Sequence, residues 1–298
     1  MSTVLQIQNL SKNYGVIKAL NKLNIEVKKG MVFGILGPNG SGKTTTLGIL
    51  LGVLNQSEGS FSWFGNGDSH INRKRIGALL ETPNFYPYLT AVQNLKIVAR
   101  IKDLDNVDAR IDKVLQMVNL HERKDSNFKT YSLGMKQRLA IASALMSDPE
   151  VLVLDEPTNG LDPQGIAEIR NLINDIASNG KTILIASHQL DEIEKVCTDV
   201  VILKKGVVIA QDKVENITGG SKNMVIQAED MDKVKSLVLS SDNMDILEEK
   251  QGRLILNVKE DLKATDVNQY FFENGIVLSE LRLMRKSLEA QFLEITKE

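Results

Sequence analysis

The sequence is poor in cysteine and has no long hydrophobic run. Its single cysteine, Cys197, cannot form an internal disulfide, which excludes a disulfide-rich scaffold and is typical of a protein of the reducing cytoplasm. The longest run without a charged residue has 14 residues, whereas a membrane-spanning helix needs about 20 apolar ones. Because the first 15 residues carry neither a basic nor an apolar segment, we also expect no secretory signal.

An excess of charge of either sign is also missing. The chain has 36 Lys and Arg against 38 Asp and Glu, a net charge of -2. No overall basic field exists to attract nucleic acid, so no nucleic-acid partner is expected. The 298 residues, 42% of them hydrophobic and 25% charged, have the composition of a soluble globular protein of about two domains.

Short β-branched runs alternate with longer amphipathic ones, which predicts an α/β fold. The predicted strands of the first part are Thr3 to Gln8, Leu23 to Val27, Met31 to Leu36, Arg75 to Leu80, Val151 to Leu154, Lys181 to Ala186, Val200 to Leu203 and Val207 to Ala210. Helices are predicted at Thr44 to Leu54, Pro163 to Ala177 and Gln189 to Val196, and a helical insert at about 84–146.

A Thr218-Gly219-Gly220-Ser221 linker divides the chain into predicted domains at 1–217 and 218–298. The second domain reads as strand Met224 to Ala228, helix Met231 to Leu239, strands Asp245 to Glu249 and Leu254 to Val258, helix Ala264 to Asn274, strand Ile276 to Leu283 and a closing helix from Ser287. This βαββαβ order predicts a small ferredoxin-like α+β domain.

A phosphate-binding motif follows the predicted strand that ends at Leu36. The segment Gly37-Pro38-Asn39-Gly40-Ser41-Gly42-Lys43-Thr44 fits G-x-x-x-x-G-K-[ST] and is followed by a predicted helix, as the motif requires. Glycines let backbone N–H groups surround phosphate oxygens, and the helix N-terminus adds positive partial charge. We therefore predict a nucleotide site that includes Thr45, in which Lys43 reaches the β- and γ-phosphates and Thr44 binds Mg²⁺.

An acidic pair ends the strand Val151 to Leu154. Ligands of open α/β sheets bind at the carboxyl ends of the strands, which is where Asp155 and Glu156 lie. Asp155 is suited to hold Mg²⁺, and Glu156 to orient or deprotonate an attacking water. Two acidic residues where a strand runs out into solvent have the same pattern. The pair therefore indicates a nucleotide site only in combination with the phosphate-binding motif.

With these motifs the sequence resembles the ATP-binding subunits of ABC transporters over about residues 3–212. The resemblance implies a P-loop NTPase fold, with a parallel sheet core, N-terminal antiparallel strands and a helical subdomain. It places Tyr14 at the adenine, Ser132 and Gly134 of a divergent signature segment at the ATP of a second subunit, Asp162 at that subunit, and His188 at the γ-phosphate.

Glu81 stands where this family usually has a glutamine near Mg²⁺ and the attacking water. A carboxylate there can tune metal affinity, and a surface glutamate in a shifted loop is the alternative. With the following segment, Glu81 resembles the bacitracin- and lantibiotic-resistance branch. The aromatic residues Phe85, Tyr86 and Tyr88 are interpreted as a docking site for a permease helix, or alternatively as the small core of the helical insert.

The resemblance implies an ATPase that pairs with itself or another ATPase subunit around two ATP molecules. It further implies integral-membrane permease subunits and a place on the cytoplasmic face of the cell membrane. The expected function is export or expulsion of a peptide antibiotic. An exporter ATPase for a lipid, drug or ion, or a soluble non-transport ABC ATPase, remains the alternative.

Overall fold

The structure is a computed structural model that describes residues 2–65, 70–80, 84–219, 223–259, 262–284, 287–289 and 291–292. The chain divides into two compact units, Met1–Val214 and Glu215–Glu298. The residues Thr218 and Gly219, predicted as linker, instead end a short helix that begins at Val214. Of the remaining predicted linker, Gly220 and Ser221 lie outside the described residues.

The first unit alternates strands and helices. Its strands are β1 (Thr3–Tyr14), β2 (Ile17–Lys28), β3 (Val32–Leu36), β4 (Glu58–Trp63), β5 (Ile76–Leu79), β6 (Val151–Asp155), β7 (Thr182–Ser187), β8 (Asp199–Lys204) and β9 (Val207–Lys213). Its helices are α1 (Lys43–Leu50), α2 (His70–Lys74), α3 (Ala91–Ile101), α4 (Val107–Met117), α5 (Leu133–Leu145), α6 (Pro163–Ser178) and α7 (Leu190–Glu194), and α8 (Val214–Gly219) spans the division.

A three-stranded antiparallel sheet has the order β2-β1-β4. The prediction ended the first strand at Gln8, but pairing continues to Tyr14 across register shifts that keep Leu10 buried. Strand β4 was not predicted, because its sequence EGSFSW begins with exposed, small and polar residues. Pairing of Phe61 with Ile7 and of Trp63 with Leu5 holds it to β1.

The central sheet has the order β5-β6-β7-β3-β8-β9, with β9 antiparallel to its neighbour and the other strands parallel. Strands β3, β6 and β7 are buried along their whole length, as the strands of a parallel sheet covered on both faces must be. Leu36 pairs with Ser187, and Asp155 with Ala186. The three strands therefore end together, and the residues that follow them meet at one edge.

The helices differ from the prediction mainly at their ends. Helix α1 ends at Leu50 rather than Leu54, and α7 is shorter than Gln189 to Val196. The insert contains α3, α4, α5 and two 3₁₀ turns, and α3 begins with a capping box between Thr90 and Gln93. The short helix α2 was not predicted, and its five residues offer little periodic signal.

The second unit contains β10 (Asn223–Ala228), α9 (Met231–Leu239), β11 (Met244–Lys250), β12 (Arg253–Val258), α10 (Ala264–Glu273) and β13 (Leu278–Met284). Its antiparallel sheet has the order β11-β12-β10-β13, which confirms the ferredoxin-like prediction. Met224, Leu256 and Phe271 are fully buried in its core. Residues 288, 289, 291 and 292 are helical, where the closing helix was predicted.

Candidate nucleotide site

The loop between β3 and α1 forms a cradle that glycines make possible. Gly37, Gly40 and Gly42 have φ angles of 154°, 78° and 107°. A Cβ atom on Gly37 would lie 2.3 Å from the Leu203 carbonyl oxygen, and one on Gly42 2.8 Å from the Ala19 carbonyl oxygen. Side chains at these two positions would clash with backbone, so the tight curve of the loop requires glycine.

Lys43 begins α1 and turns back toward the loop. Its Nζ donates to the carbonyl oxygens of Gly37, at 2.9 Å, and Pro38, at 3.4 Å. It also lies 3.4 Å from Glu156 Oε1, while the lysine as a whole is 5% exposed. Because a buried ammonium needs polar partners, these contacts hold the Lys43 head group against the loop.

Glu156 connects the end of β6 with the end of β7 and with Lys43 of α1. Its backbone, with a φ of 48°, turns out of β6, and its N–H donates to the Ala186 carbonyl of β7. Its Oε2 accepts from Ser187 Oγ at 3.3 Å and lies 2.9 Å from His188 Nδ1. One carboxylate therefore contacts Lys43 through one oxygen and the end of β7 through the other, which brings together three residues predicted from separate motifs.

A cleft of about 500 Å³ opens beside these groups. The predicted residues Asn39, Gly40, Gly42, Lys43, Thr44, Thr45 and Glu156 line it. Four lining residues were not predicted: Ile17, Lys18 and Ala19 of β2, and Lys205 in the turn between β8 and β9. None of the four belongs to a nucleotide-binding motif. For Lys205, its position directly before the glycine of a hairpin turn was a sequence feature that could have pointed to the cleft.

The donors needed for Mg²⁺ are present at this end of the sheet. Thr44 exposes its side chain in the first turn of α1, and Asp155, 2% exposed, ends β6. The Ser41 hydroxyl in the same loop is buried and has no hydrogen-bond partner among the described residues. Hydroxyl and carboxylate oxygens are the ligands that Mg²⁺ prefers, so these residues fit the metal. Among the described residues, however, no three His, Cys, Asp or Glu side chains gather as a metal cluster.

Tyr14 lies at the end of β1, where it pairs with Ile17 across the hairpin. The tyrosine is 47% exposed and lies under the Lys12 ammonium, which is 4.9 Å from the ring centroid. Ile17 lines the cleft and Tyr14 does not. The predicted adenine contact thus lies next to the cleft rather than within its wall.

The segment of the predicted signature forms the start of α5. Ser132 is its N-cap and accepts a hydrogen bond from Met135 N at 3.3 Å. A Cβ atom on Gly134 would meet Leu161 alone, at 3.9 Å, so this glycine faces open space. Neither Ser132 nor Gly134 lines the cleft of the same chain.

Two other residues of this region have structural partners. Tyr131 is buried, its hydroxyl donates to the Arg123 carbonyl at 2.7 Å, and burial raises the pKa of its phenol. Asp162 caps α6 by accepting from Gly165 N at 2.9 Å. Both side chains therefore stabilise local structure.

Two predictions concern the segment after Leu80, one on Glu81 and one on the aromatic residues Phe85, Tyr86 and Tyr88. Glu81 lies outside the described residues. Phe85 packs edge-on against Phe128, with 5.2 Å between the ring centroids, while Tyr86 and Tyr88 are 50% and 64% exposed. The aromatic group is thus divided, since Phe85 belongs to the packing of the insert and the tyrosines are accessible.

Comparison with known proteins decides the family. The chain is 39% identical to the bacitracin transport ATP-binding protein BcrA of Bacillus licheniformis, over 99% of this chain and 98% of that one. The chain belongs to the ABC transporter family, as an ATP-binding subunit. The family model described as "ABC transporter" matches residues 20–159.

Two further similarities agree with this family. The lantibiotic transport ATP-binding protein SrtF of Streptococcus pyogenes is 39% identical over 74% of this chain and 94% of its own. The solved structure of the ATP-binding cassette MJ0796, a dimer in a post-hydrolysis state bound to ADP and Pi, has a TM-score of 0.62 and 28% identity over 70% of this chain and 98% of that chain. This ABC subunit is an ATPase, and the predicted P-loop fold is confirmed.

None of the helices in the described part of this ABC subunit is both long enough and apolar enough to cross a membrane.

Proposed function

We propose that this ATPase drives the export or expulsion of a peptide antibiotic of the bacitracin or lantibiotic kind, and so gives resistance or immunity. The similarity to BcrA carries the proposal, because it extends over 99% of the chain and includes the second unit. The lantibiotic relative supports it over 74% of the chain.

In the proposed mechanism the loop from Gly37 to Thr45 binds the phosphates of ATP. Its backbone N–H groups and the start of α1 supply hydrogen bonds and positive partial charge. Lys43 exchanges the carbonyl oxygens of Gly37 and Pro38 for phosphate oxygens. The lysine is thereby a prepositioned partner for the polyphosphate.

Glu156 acts as the base in this mechanism. Its carboxylate takes a proton from water while the water oxygen bonds to the γ-phosphorus, and the bond from that phosphorus to the bridging oxygen of ADP breaks. His188 Nδ1 lies 2.9 Å from Oε2, which supports its role in orienting the carboxylate, and its imidazole would contact the γ-phosphate. Glu156 and His188 lie close together because they follow β6 and β7, two strands that pair up to their ends.

Thr44, Asp155 and Glu81 would hold Mg²⁺, and the assignment of Glu81 rests on the sequence alone. When bound, the ion neutralises charge on the phosphates. The position of Asp155 at the end of β6, beside the ends of β7 and β3, supports this assignment, because ligands of open α/β sheets bind at the carboxyl ends of the strands.

We further propose that two subunits close around ATP. Ser132 is exposed, Gly134 is half-buried, and both are absent from the cleft of their own chain, which supports their contact with the nucleotide of a partner. The dimeric state of MJ0796 supports the pairing of two subunits. Asp162 would face the partner subunit.

A permease partner would hold the subunit at the cytoplasmic face of the membrane. A cavity of about 600 Å³ is lined by Asn84, Phe85, Tyr86 and residues of β5, α3 and α5. The exposed ring of Tyr86 at this cavity supports docking of a helix from an integral-membrane subunit.

Two measurements in the native cell test the proposal. Gene deletion should sensitise the cell to bacitracin or a lantibiotic, wild-type protein should restore resistance, and Glu156→Gln should not. Sensitivity to an antibiotic of unrelated chemistry is the control.

Tagged protein purified from gently solubilised membranes with an ATP analogue should carry one or two polytopic membrane proteins. Unchanged peptide-antibiotic sensitivity after deletion would contradict the proposed cargo, and recovery without membrane proteins would contradict the permease assignment.

A further inference from the structure

Two lysines from outside the phosphate motif line the nucleotide cleft. Lys18 lies on β2, and Lys205 lies in the turn between β8 and β9. Among the described residues, the side chain of neither forms an ion pair or hydrogen bond. Exposed lysines usually have solvated heads, but two that line one cleft beside a phosphate-binding loop add to its positive potential.

The charged residues that line the cleft do not cancel. Lys43 and Glu156 are within 3.4 Å of one another, so their opposite charges compensate locally. Lys18 and Lys205 remain as two cations without an anionic partner in the lining. The cleft thus has a net charge of about +2, which is the complement of a polyphosphate with its metal.

Backbone packing fixes both lysines next to the cradle. Gly206, directly after Lys205, donates its N–H to the Ser41 carbonyl at 3.0 Å and accepts from Asn21 N at 2.8 Å. A Cβ atom on Gly206 would lie 2.5 Å from the Ala19 carbonyl oxygen. The turn, strand β2 and the phosphate loop are therefore in direct backbone contact. These contacts hold the backbones of Lys205 and Lys18 at the rim of the cleft.

We propose that Lys18 and Lys205 are nucleotide-binding residues whose ammonium groups contact the polyphosphate of the bound nucleotide. The inference rests on the proposed cradle and extends it to two chain segments that carry no nucleotide-binding motif. Its ligand class is a nucleoside di- or triphosphate, so the contribution grows with the number of phosphates.

The test measures affinities of the full-length protein for ATP, ADP and AMP by titration calorimetry. Lys18→Gln and Lys205→Gln should each weaken ATP binding about threefold, and the double variant about tenfold, as exposed ion contacts do. AMP binding should change less. Higher salt should reduce the difference from wild type, because screening weakens such contacts.

Lys22→Gln is the matched control. Lys22 is also exposed, lies on β2 and has a φ of 52°, close to the 49° of Lys205, but it does not line the cleft. The control separates loss of a cleft cation from loss of positive charge and from a change at a left-handed backbone position. Lys205→Arg keeps the charge and should retain wild-type ATP affinity, which provides a second variant if Lys205→Gln folds poorly.

The inference is overturned if the double variant binds ATP as tightly as Lys22→Gln, or if ATP and AMP affinities fall equally. Lys43→Ala in the same titration distinguishes the two proposals. Loss of ATP affinity in Lys43→Ala with none in the double variant would reject Lys18 and Lys205 alone. No loss in Lys43→Ala would reject the cradle on which they depend.

Discussion

The two units build their sheets differently, and their polar groups differ accordingly. In the first unit parallel strands end side by side, and Ser41, Lys43, Asp155 and Ser187 are buried at or just beyond those ends. In the second unit the antiparallel strands carry charged side chains at the surface, where Glu249 of β11 pairs with Lys235 of α9 at 2.8 Å. Hydrogen bonding to Glu249 raises the pKa of that lysine.

The difference follows from strand direction. Parallel strands deliver their carboxyl ends to one edge, so consecutive motifs converge there even when they are far apart in sequence. Antiparallel neighbours deliver theirs to opposite edges, so polar residues spread out and pair locally. We therefore expect single substitutions at the edge where β3, β6 and β7 end to change ATP binding or hydrolysis, and single substitutions in the second unit to change stability.

The largest effect is expected from Glu156→Gln. Removing the base should lower the ATP hydrolysis rate by about 100-fold or more while ATP still binds. The variant should also accumulate as an ATP-dependent dimer, measured by light scattering during gel filtration.

Glu150→Gln is its matched control, because Glu150 precedes β6 and Glu156 follows it. Glu150 forms a half-exposed pair with Arg75 at 2.7 Å, which lowers the pKa of that carboxyl. Its loss should leave hydrolysis unchanged. Near-normal turnover in Glu156→Gln would remove Glu156 from the catalytic role.

Phe271→Ala tests the second unit. The ring is fully buried, so its removal should lower the free energy of unfolding by about 3–5 kcal/mol. Hydrogen exchange should locate the loss in the second unit, with ATP affinity retained. Phe272→Ala, at a neighbouring side chain that is 69% exposed, should change stability by less than about 0.5 kcal/mol. Equal effects of the two variants would contradict the described core.

Lys43→Ala should weaken ATP binding by about 10- to 100-fold, because charge-assisted hydrogen bonds to the phosphates are lost. Titration calorimetry measures the change, and the melting temperature without nucleotide shows whether the fold survives. An unchanged affinity would contradict the cradle.

The smallest effect is expected from Glu81→Gln. If this carboxylate tunes the metal site, the Mg²⁺ concentration for half-maximal hydrolysis should shift by about threefold, with ATP affinity largely retained. Unchanged Mg²⁺ dependence together with unchanged resistance in the cell would favour the alternative of a surface glutamate.

The sequence was most informative where a local pattern suffices. The apolar strand before Gly37 and the acidic end of β6 were visible because buried parallel strands are continuous hydrophobic runs. Strand β4 was missed because its structure depends on pairing with β1, to which its own polar residues give no clue. The places of Lys18 and Lys205 in the cleft were missed for a related reason, since they depend on backbone contacts between distant segments.

The bond of Lys43 to its own loop has a consequence for selectivity among anions. Its ammonium already has the carbonyl oxygens of Gly37 and Pro38 and the carboxylate of Glu156 as ligands, so an incoming anion is a competitor and not a first partner. A chain of phosphates carries more charge and more oxygen atoms than chloride or a single free phosphate, so it competes better for this ammonium. Its binding would also release Glu156 to act on water.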